Sequence, residues 1–384
     1  MKLAVVIQRF GKEIADGPEN LCRETLRRLA RKHFITVYTT TALDHLTWRR
    51  HYAVGVEDDE GMTIRRFQPI RERNAESFRR LSHQISSQQH TEIEEAQWLE
   101  ERGPFCPELV EALRGEQDLF DVILFFAYQS CLTVAGLHAV EKPIILVPLA
   151  HREPAASLRI YRDVFQRPEG LIFNSHLEER FVTEFFRPSA KHRLVAGPGV
   201  TLPAHMKSKM RLAAPCILYA GGVDTGNECA EVIEYFIRFR VHYMFCRLYL
   251  MGMLPLQPPK HPEIHALGTL IDEEKFGAYR DASVTVLPST AESRSIIALE
   301  SLACGTPVLV NGHCEVLRDH CLRGNAGLYY GNFEEFGEAL QYILRRRDQA
   351  SQFGASGKRY VLANYTWDKI LAKYDSMFQS ALNR

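Results

Sequence analysis

Two glutamates eight positions apart, Glu292 and Glu300, stand in the segment of the chain richest in chemical signal. From Pro288 to Val310 it reads as strand, polar turn, helix, glycine stop and second strand. Ser293 or Ser295 is placed to cap the helix. Gly305 suits its C-terminus, and Pro307 forbids its continuation. The unpaired N–H groups of a helix start, together with its dipole, favour an anion such as a phosphate. Glu292 precedes the helix and Glu300 lies inside it, so the two carboxylates reach different parts of one ligand. A carboxylate accepts hydrogen bonds well from vicinal hydroxyls, such as those of a ribose or a hexose. Spacing alone decides little, because glutamates eight apart are common and an ordinary solvated or capping role is the plain alternative.

Other residues invite the same weighing. His151 follows the apolar run Ile144 to Leu149 and is either a satisfied histidine at a strand end or a group facing a ligand. Gly11 and Gly17 shape the loop after the first strand, as a simple turn or as a close approach to a ligand. His313-Cys314 and His320-Cys321 sit seven apart on one helical face. Adjacent residues rarely aim at one ion, so the reading is buried thiols and no metal. The arginines at 65, 66, 71, 73, 79 and 80 read as a solvated face; the sharper alternative is a basic patch for an anionic lipid surface.

The elements that must hold these groups alternate between apolar runs and helical stretches, the signature of parallel sheets covered by helices. Strands are expected at Lys2 to Ile7, Phe34 to Thr39, Val122 to Phe126, Ile144 to Leu149 and Leu171 to Asn174. Helices are expected from Pro18 to Lys32 and Leu177 to Phe186, with a polar, helix-rich stretch from Gln68 to Arg114. Residues 197–215 hold Gly197-Pro198-Gly199, Pro203 and Pro215 and read as a linker. A second series follows: strands at Cys216 to Ala220, Leu248 to Met251, Ile264 to Ala266, Val284 to Leu287 and Val308 to Val310, a helix near Glu228 to Arg240, and a closing amphipathic helix from Thr366 to Leu382. The expected organisation is an N-terminal domain over 1–196, a linker over 197–215, a C-terminal domain over 216–365 and a closing helix over 366–384.

The chain has 384 residues, enough for two cores, and a formal net charge of zero, which argues against a nucleic-acid partner. No apolar run approaches the roughly 20 residues of a membrane span. The apolar start is too short for a signal peptide and reads as a buried strand. Nine cysteines without a C-x-x-C pair fit free thiols in a reducing cytoplasm.

The context of the two glutamates resembles the Glu-x7-Glu motif of glycosyltransferase family four, followed as in that family by an Ala-Cys-Gly-Thr-Pro-Val run, here at 303–308. The resemblance covers nearly the whole chain through the glycine-containing first loop, Ala150-His151, Gly197 to Val200, Leu218-Tyr-Ala-Gly221 and the Tyr365-Thr-Trp367 start of the last helix. It implies an α/β, GT-B fold: two Rossmann-like domains facing across a cleft. The implied activity is transfer, with retention, of a sugar from a nucleoside diphosphate sugar to a glycan or lipid-linked acceptor. No cofactor is implied beyond that co-substrate, and the implied location is the cytoplasm, with peripheral contact at the inner membrane. By motif, Glu292 contacts the donor sugar and His151 faces it as the catalytic pair. Glu300 binds the ribose; Ser293, Arg294, Ser295 and Ile296 lie at the diphosphate, with Gly221 and Gly222 beside it; Gly11 and Gly17 form the acceptor-side loop. The family's Arg and Lys diphosphate clamp falls here on Gly222 and Asn227. That departure keeps two further expectations open: a degenerate GT-B protein that binds a sugar, nucleotide or partner without turnover, and a GT-B enzyme of another reaction type such as an epimerase.

Overall fold

The computed structural model describes residues 1–14, 17–87, 90–202, 211–221, 226–243, 245–252, 259–290 and 295–383, with the side chains of 87, 226 and 227 set aside. The chain divides into two compact units, Met1–Gly197 with Leu371–Arg384, and Pro198–Ile370.

The first unit is built on β1 (Lys2–Val6), α1 (Gly17–Leu29), β2 (Phe34–Thr40), β3 (Gly55–Asp59), β4 (Met62–Phe67), α2 (Ala75–Ser87), α3 (Glu92–Arg102), α4 (Pro107–Glu116), β5 (Val122–Phe126), α5 (Cys131–Ala139), β6 (Ile144–Val147), β7 (Gly170–Phe173), α6 (His176–Phe185) and β8 (His192–Val195). Its sheet runs β3-β4-β2-β1-β5-β6-β7-β8, parallel throughout except for β3 against β4. Every residue of β5 and β6 is buried, which is why both read as unbroken apolar runs. Helix α3 begins with a capping box in which Thr91 accepts from the Glu94 amide and Glu94 reaches back to Thr91.

The second unit holds β9 (Cys216–Ala220), α7 (Gly226–Arg240), β10 (Arg247–Met251), β11 (Ile264–Gly268), α8 (Asp272–Asp281), β12 (Val284–Leu287), α9 (Ile296–Ala303), β13 (Val308–Asn311), α10 (Glu315–Gly324), β14 (Gly327–Tyr330), α11 (Phe333–Arg345) and α12 (Arg347–Asn364). Its sheet, β11-β10-β9-β12-β13-β14, is entirely parallel. Both sheets are Rossmann-like, with strands in non-sequential order joined by helical crossovers.

The last helix, α13 (Trp367–Leu382), belongs to the second unit through Ile370 and to the first from Leu371. In the first unit Tyr374, Met377 and Phe378 are fully covered, each burial contributing roughly 1.5–3 kcal/mol. Met377 lies against Gly170, and Phe378 meets the edge of His33, whose Nε2 is 2.7 Å from Asp375 Oδ1. In the second unit Trp367 packs on Gly199 and donates to Thr201 Oγ1 at 2.9 Å.

Two features, a hairpin and the arginines, differ from the sequence expectations, while the thiols at 314 and 321 are buried as expected. The hairpin of β3 and β4 was not read as strands, because β3 is an exposed Gly-Val-Glu-Asp-Asp without alternation. Its turn, with φ of 54° at Glu60 and 82° at Gly61, is the type I′ form that matches strand twist. The six arginines do not form one solvated face. Arg66 is buried and donates to the Phe10 carbonyl at 2.8 Å, and Arg65 lies over Tyr38 and Phe67 beside Glu116. Burial and the neighbouring Arg102 pull Arg73 down to about 10. Arg79 and Arg80 are exposed. Cys314 and Cys321 are packed in one core cluster with Leu317 and Val361, while His320 Nδ1 is 3.0 Å from the Tyr360 hydroxyl. No helix among the described residues is long and apolar enough to cross a membrane.

Candidate functional site

In open parallel sheets the loops after the strand C-termini carry ligands. In the first unit, the loop after β1 is held by three arginine bonds. Arg9, itself buried, donates to Glu19 Oε1 at 2.9 Å and to the Leu43 carbonyl at 2.8 Å, and Arg66 holds the Phe10 carbonyl. Arg66 also lies 3.9 Å over the Tyr52 ring. Gly11 is pressed against the Tyr52 hydroxyl, which a Cβ would strike, and that hydroxyl donates to Glu13 Oε2 at 2.6 Å. Gly17 opens α1 with φ of 69°. The two glycines thus flank one arginine-braced loop.

His151 follows β6 by four residues. Its side chain is 66% exposed, with Nε2 3.7 Å from Glu153 Oε1. The backbone before it is fixed from α6: the Ala150 amide donates to Glu178 Oε1 at 2.7 Å, and the Asn174 amide and side chain donate to Glu178 Oε2 at 2.6 and 3.2 Å. Burial drives the Glu178 carboxyl up to about 7, against the pull of these bonds. Glu153 gathers Tyr128, whose hydroxyl donates at 3.2 Å, and Gln129, which Arg102 also contacts. Sequence reading missed this cluster at the ends of β5 and β6. The available signal was position, a polar Tyr-Gln-Ser run one residue after an all-apolar strand.

In the second unit, β12 leads toward the start of α9. Ser295 precedes that helix with φ of 51° and ψ of 36°, in the left-handed region. It does not cap: its hydroxyl makes no bond to the helix and, at 1% exposure, is buried without a partner among the described residues. A left-handed backbone aims the side chain away from the N–H groups that a cap would satisfy, which explains the departure from the expected Ser295 cap. Ile296 begins α9, whose first amides have no partner within the helix. Glu300 lies about 6 Å further along the axis. Lys275 Nζ is 2.8 Å from its Oε1 and the Tyr279 hydroxyl donates to Oε2 at 3.4 Å. Burial raises Glu300, with Lys275 and Tyr279 opposing. Gly221 follows β9, and its carbonyl sits where a Cβ on Gly252, at φ of 120°, would fall, so the two strand ends approach as only glycine permits.

The structure therefore groups Gly11 and Gly17 on one loop and His151 on another in the first unit, and Gly221, Ser295, Ile296 and Glu300 in the second. Glu292, Ser293, Arg294 and Gly222, and the Asn227 side chain, lie outside the described residues. Lys275, Tyr279 and Glu178 were missed because each meets its partner across 21 to 28 positions of sequence. No group of three or more His, Cys, Asp or Glu that could hold a metal occurs among the described residues.

Residues 194–346 match the family described as glycosyl transferases group 1. A D-inositol 3-phosphate glycosyltransferase of Streptomyces bingchenggensis is 26% identical over 223 residues, 53% of this chain and 46% of that protein. A protein of the same name from Thermobispora bispora is 32% identical over 111 residues, 28% of this chain and 25% of its own. The alignments thus span less than half the length of these curated relatives. Among solved structures, Anabaena Alr3699/HepE in complex with UDP superposes with a TM-score of 0.69 at 13% identity, covering 99% of this chain and 100% of that one. Sucrose-phosphate synthase from Thermosynechococcus elongatus does so with a TM-score of 0.65 at 16% identity, covering 100% and 99%. Residues 194–346 thus match the group 1 glycosyl transferases, and the chain that carries them has the GT-B fold.

Proposed function

We propose that the protein is a glycosyltransferase that moves a sugar, with retention, from a nucleoside diphosphate sugar to a glycan or lipid-linked acceptor. The observation that carries this reading is the start of α9. A Ser295 hydroxyl buried without a partner among the described residues, and the first amides of α9, which have none within the helix, stand little more than one turn from a carboxylate, Glu300, in a region that matches the glycosyl transferases. The amides and hydroxyl supply donors for a diphosphate, and the carboxylate supplies acceptors for a ribose diol. Glu292 and His151 are assigned to the transferred sugar, and the loop of Gly11 and Gly17 to the acceptor side. Catalysis on this reading is positioning plus stabilisation of the departing diphosphate. The UDP complex of Alr3699/HepE and the names of the curated relatives support a nucleotide-linked donor and a hydroxyl acceptor.

A second reading, a GT-B protein that binds without turnover, draws on the sequence between Cys216 and Asn227, which carries no Lys or Arg. Incubation with UDP-, GDP- and ADP-sugars and a mixed panel of glycan and lipid-linked acceptors separates the two. Transfer with the donor's anomeric configuration kept, read by NMR of the product, is the expected result. Binding without product selects the second reading, and an inverted product removes retention.

A further inference from the structure

Both oxygens of Glu300 are engaged from α8. Lys275 Nζ meets Oε1 at 2.8 Å, and the Tyr279 hydroxyl meets Oε2 at 3.4 Å. Lys275 is held from its other side by Asp272 Oδ1 at 3.3 Å and lies 4.9 Å from the centre of the Phe276 ring. The two side chains are 12% and 26% exposed, so the pair is shielded yet reachable. An ionised carboxylate offers about four lone-pair sites. Two bonds therefore leave room for both hydroxyls of a vicinal diol.

Lys275 is the cation that the described surroundings set against Glu300. On α8 the facing groups are Lys275, Asp272 and Tyr279. The strands beside α9, β12 and β13, read Val-Thr-Val-Leu and Val-Leu-Val-Asn and bring no ionisable side chain. On α9 itself Cys304 lies one turn on, and Lys358 of α12 acts on that thiol. Burial raises Glu300 and Lys275 opposes it. A protonated carboxyl would spend one oxygen as a donor and lose the ability to receive two hydroxyls.

We infer that Lys275 is a positioning residue for nucleotide recognition: its ammonium keeps Glu300 ionised and its carboxylate plane fixed, so that the remaining lone pairs receive both ribose hydroxyls of a nucleoside diphosphate. The inference rests on the reading of Glu300 as the ribose acceptor. Lys275 acts through Glu300 and makes no bond to the nucleotide.

The test is calorimetric titration of UDP, GDP and ADP into the full chain as wild type, Lys275→Met, Lys275→Arg, Glu300→Gln and the Lys275→Met/Glu300→Gln double variant, at about pH 6 and about pH 8. For the diphosphate that binds most tightly, Lys275→Met is expected to weaken binding roughly tenfold at the higher pH and further at the lower one. The sign follows from the carboxylate: without its cation Glu300 titrates at higher pH, and affinity falls as it takes up a proton. Lys275→Arg is expected to follow the wild type across that range, both carrying only the change that the diphosphate's own last proton, at about pH 6, brings to each, and the arginine variant shows that the site still folds. On the Glu300→Gln background, Lys275→Met is expected to cost nothing more, because the two act as one unit. A full additional loss on that background, or a pH profile in Lys275→Met that runs parallel to the wild type, overturns the inference. If Glu300→Gln weakens binding while Lys275→Met does not, the inference fails and the ribose reading stands. If Glu300→Gln binds like the wild type, or none of the three diphosphates binds, the ribose reading itself falls and the inference with it.

Discussion

His151 owes its place to its backbone more than to its ring. The ring is largely exposed, but the amide before it is locked to the buried Glu178. A side chain so presented is available to a ligand and carries little of the fold. His151→Ala is therefore expected to lower turnover about a hundredfold, the lower range for a positioned polar group, while donor affinity changes by less than about threefold. Turnover and donor titration on the same preparation check this, and equal losses in both would move His151 away from the transferred sugar. At this scale the sequence reveals residues whose neighbours in the chain define them. Glu300 stands in a helix with a readable start and stop, and Gly11 in a loop directly after a strand. Lys275 and Glu178 were invisible, because a lysine in a polar helical stretch and a glutamate in a helix's first turn look like solvated charges until the fold supplies their partners.

At the scale of elements, α9 shows both what pattern reveals and where it stops. Its glycine stop is legible, and Gly305 takes φ of 85° there. The conformation of Ser295 is not legible, because serine before a helix ordinarily caps it. A non-glycine residue in the left-handed region costs about 1 kcal/mol, a strain typical of ligand sites. Ser295→Gly is expected to raise stability by about 0.5 kcal/mol, since relief of strain is partly offset by the freer unfolded chain. It is also expected to weaken nucleoside diphosphate binding, because it deletes the buried hydroxyl. Denaturant unfolding and titration with UDP, GDP and ADP read the two effects, and unchanged affinity would take that hydroxyl out of the site. The β3–β4 hairpin escaped for the opposite reason: its strands lack alternation, and only the Glu60-Gly61 turn announces them.

For the whole molecule, the rhythm of two α/β series is legible because buried parallel strands are unbroken apolar runs. The destination of the last helix is not, since an amphipathic stripe shows that one face is covered but not by which core; Tyr374, Met377 and Phe378 are buried in the first unit. The pH dependence of stability is likewise a property of the fold. Glu178 rises from 4.5 to about 7 in the folded chain, so the native state holds its proton more tightly than the unfolded one. Its contribution is fully present below about pH 4.5 and is lost as pH rises through about 7, amounting to about 3 kcal/mol at most. Glu178→Gln is expected to abolish that part of the decline, so that the difference in unfolding free energy between variant and wild type grows more favourable to the variant as pH rises from about 4.5 to about 7. Denaturant unfolding across that range checks it, and a difference independent of pH would mean that Glu178 ionises normally in the folded chain.

On the proposed function, Glu300 receives a nucleotide-linked sugar through its ribose. That role is tested most directly by the melting temperature of wild type and Glu300→Ala with UDP-, GDP- and ADP-sugars, because a ligand that binds only the folded chain raises its midpoint. At least one of these donors is expected to raise the wild-type midpoint, and Glu300→Ala, folded and melting cooperatively, is expected to lose the rise. An equal rise in both proteins would contradict it.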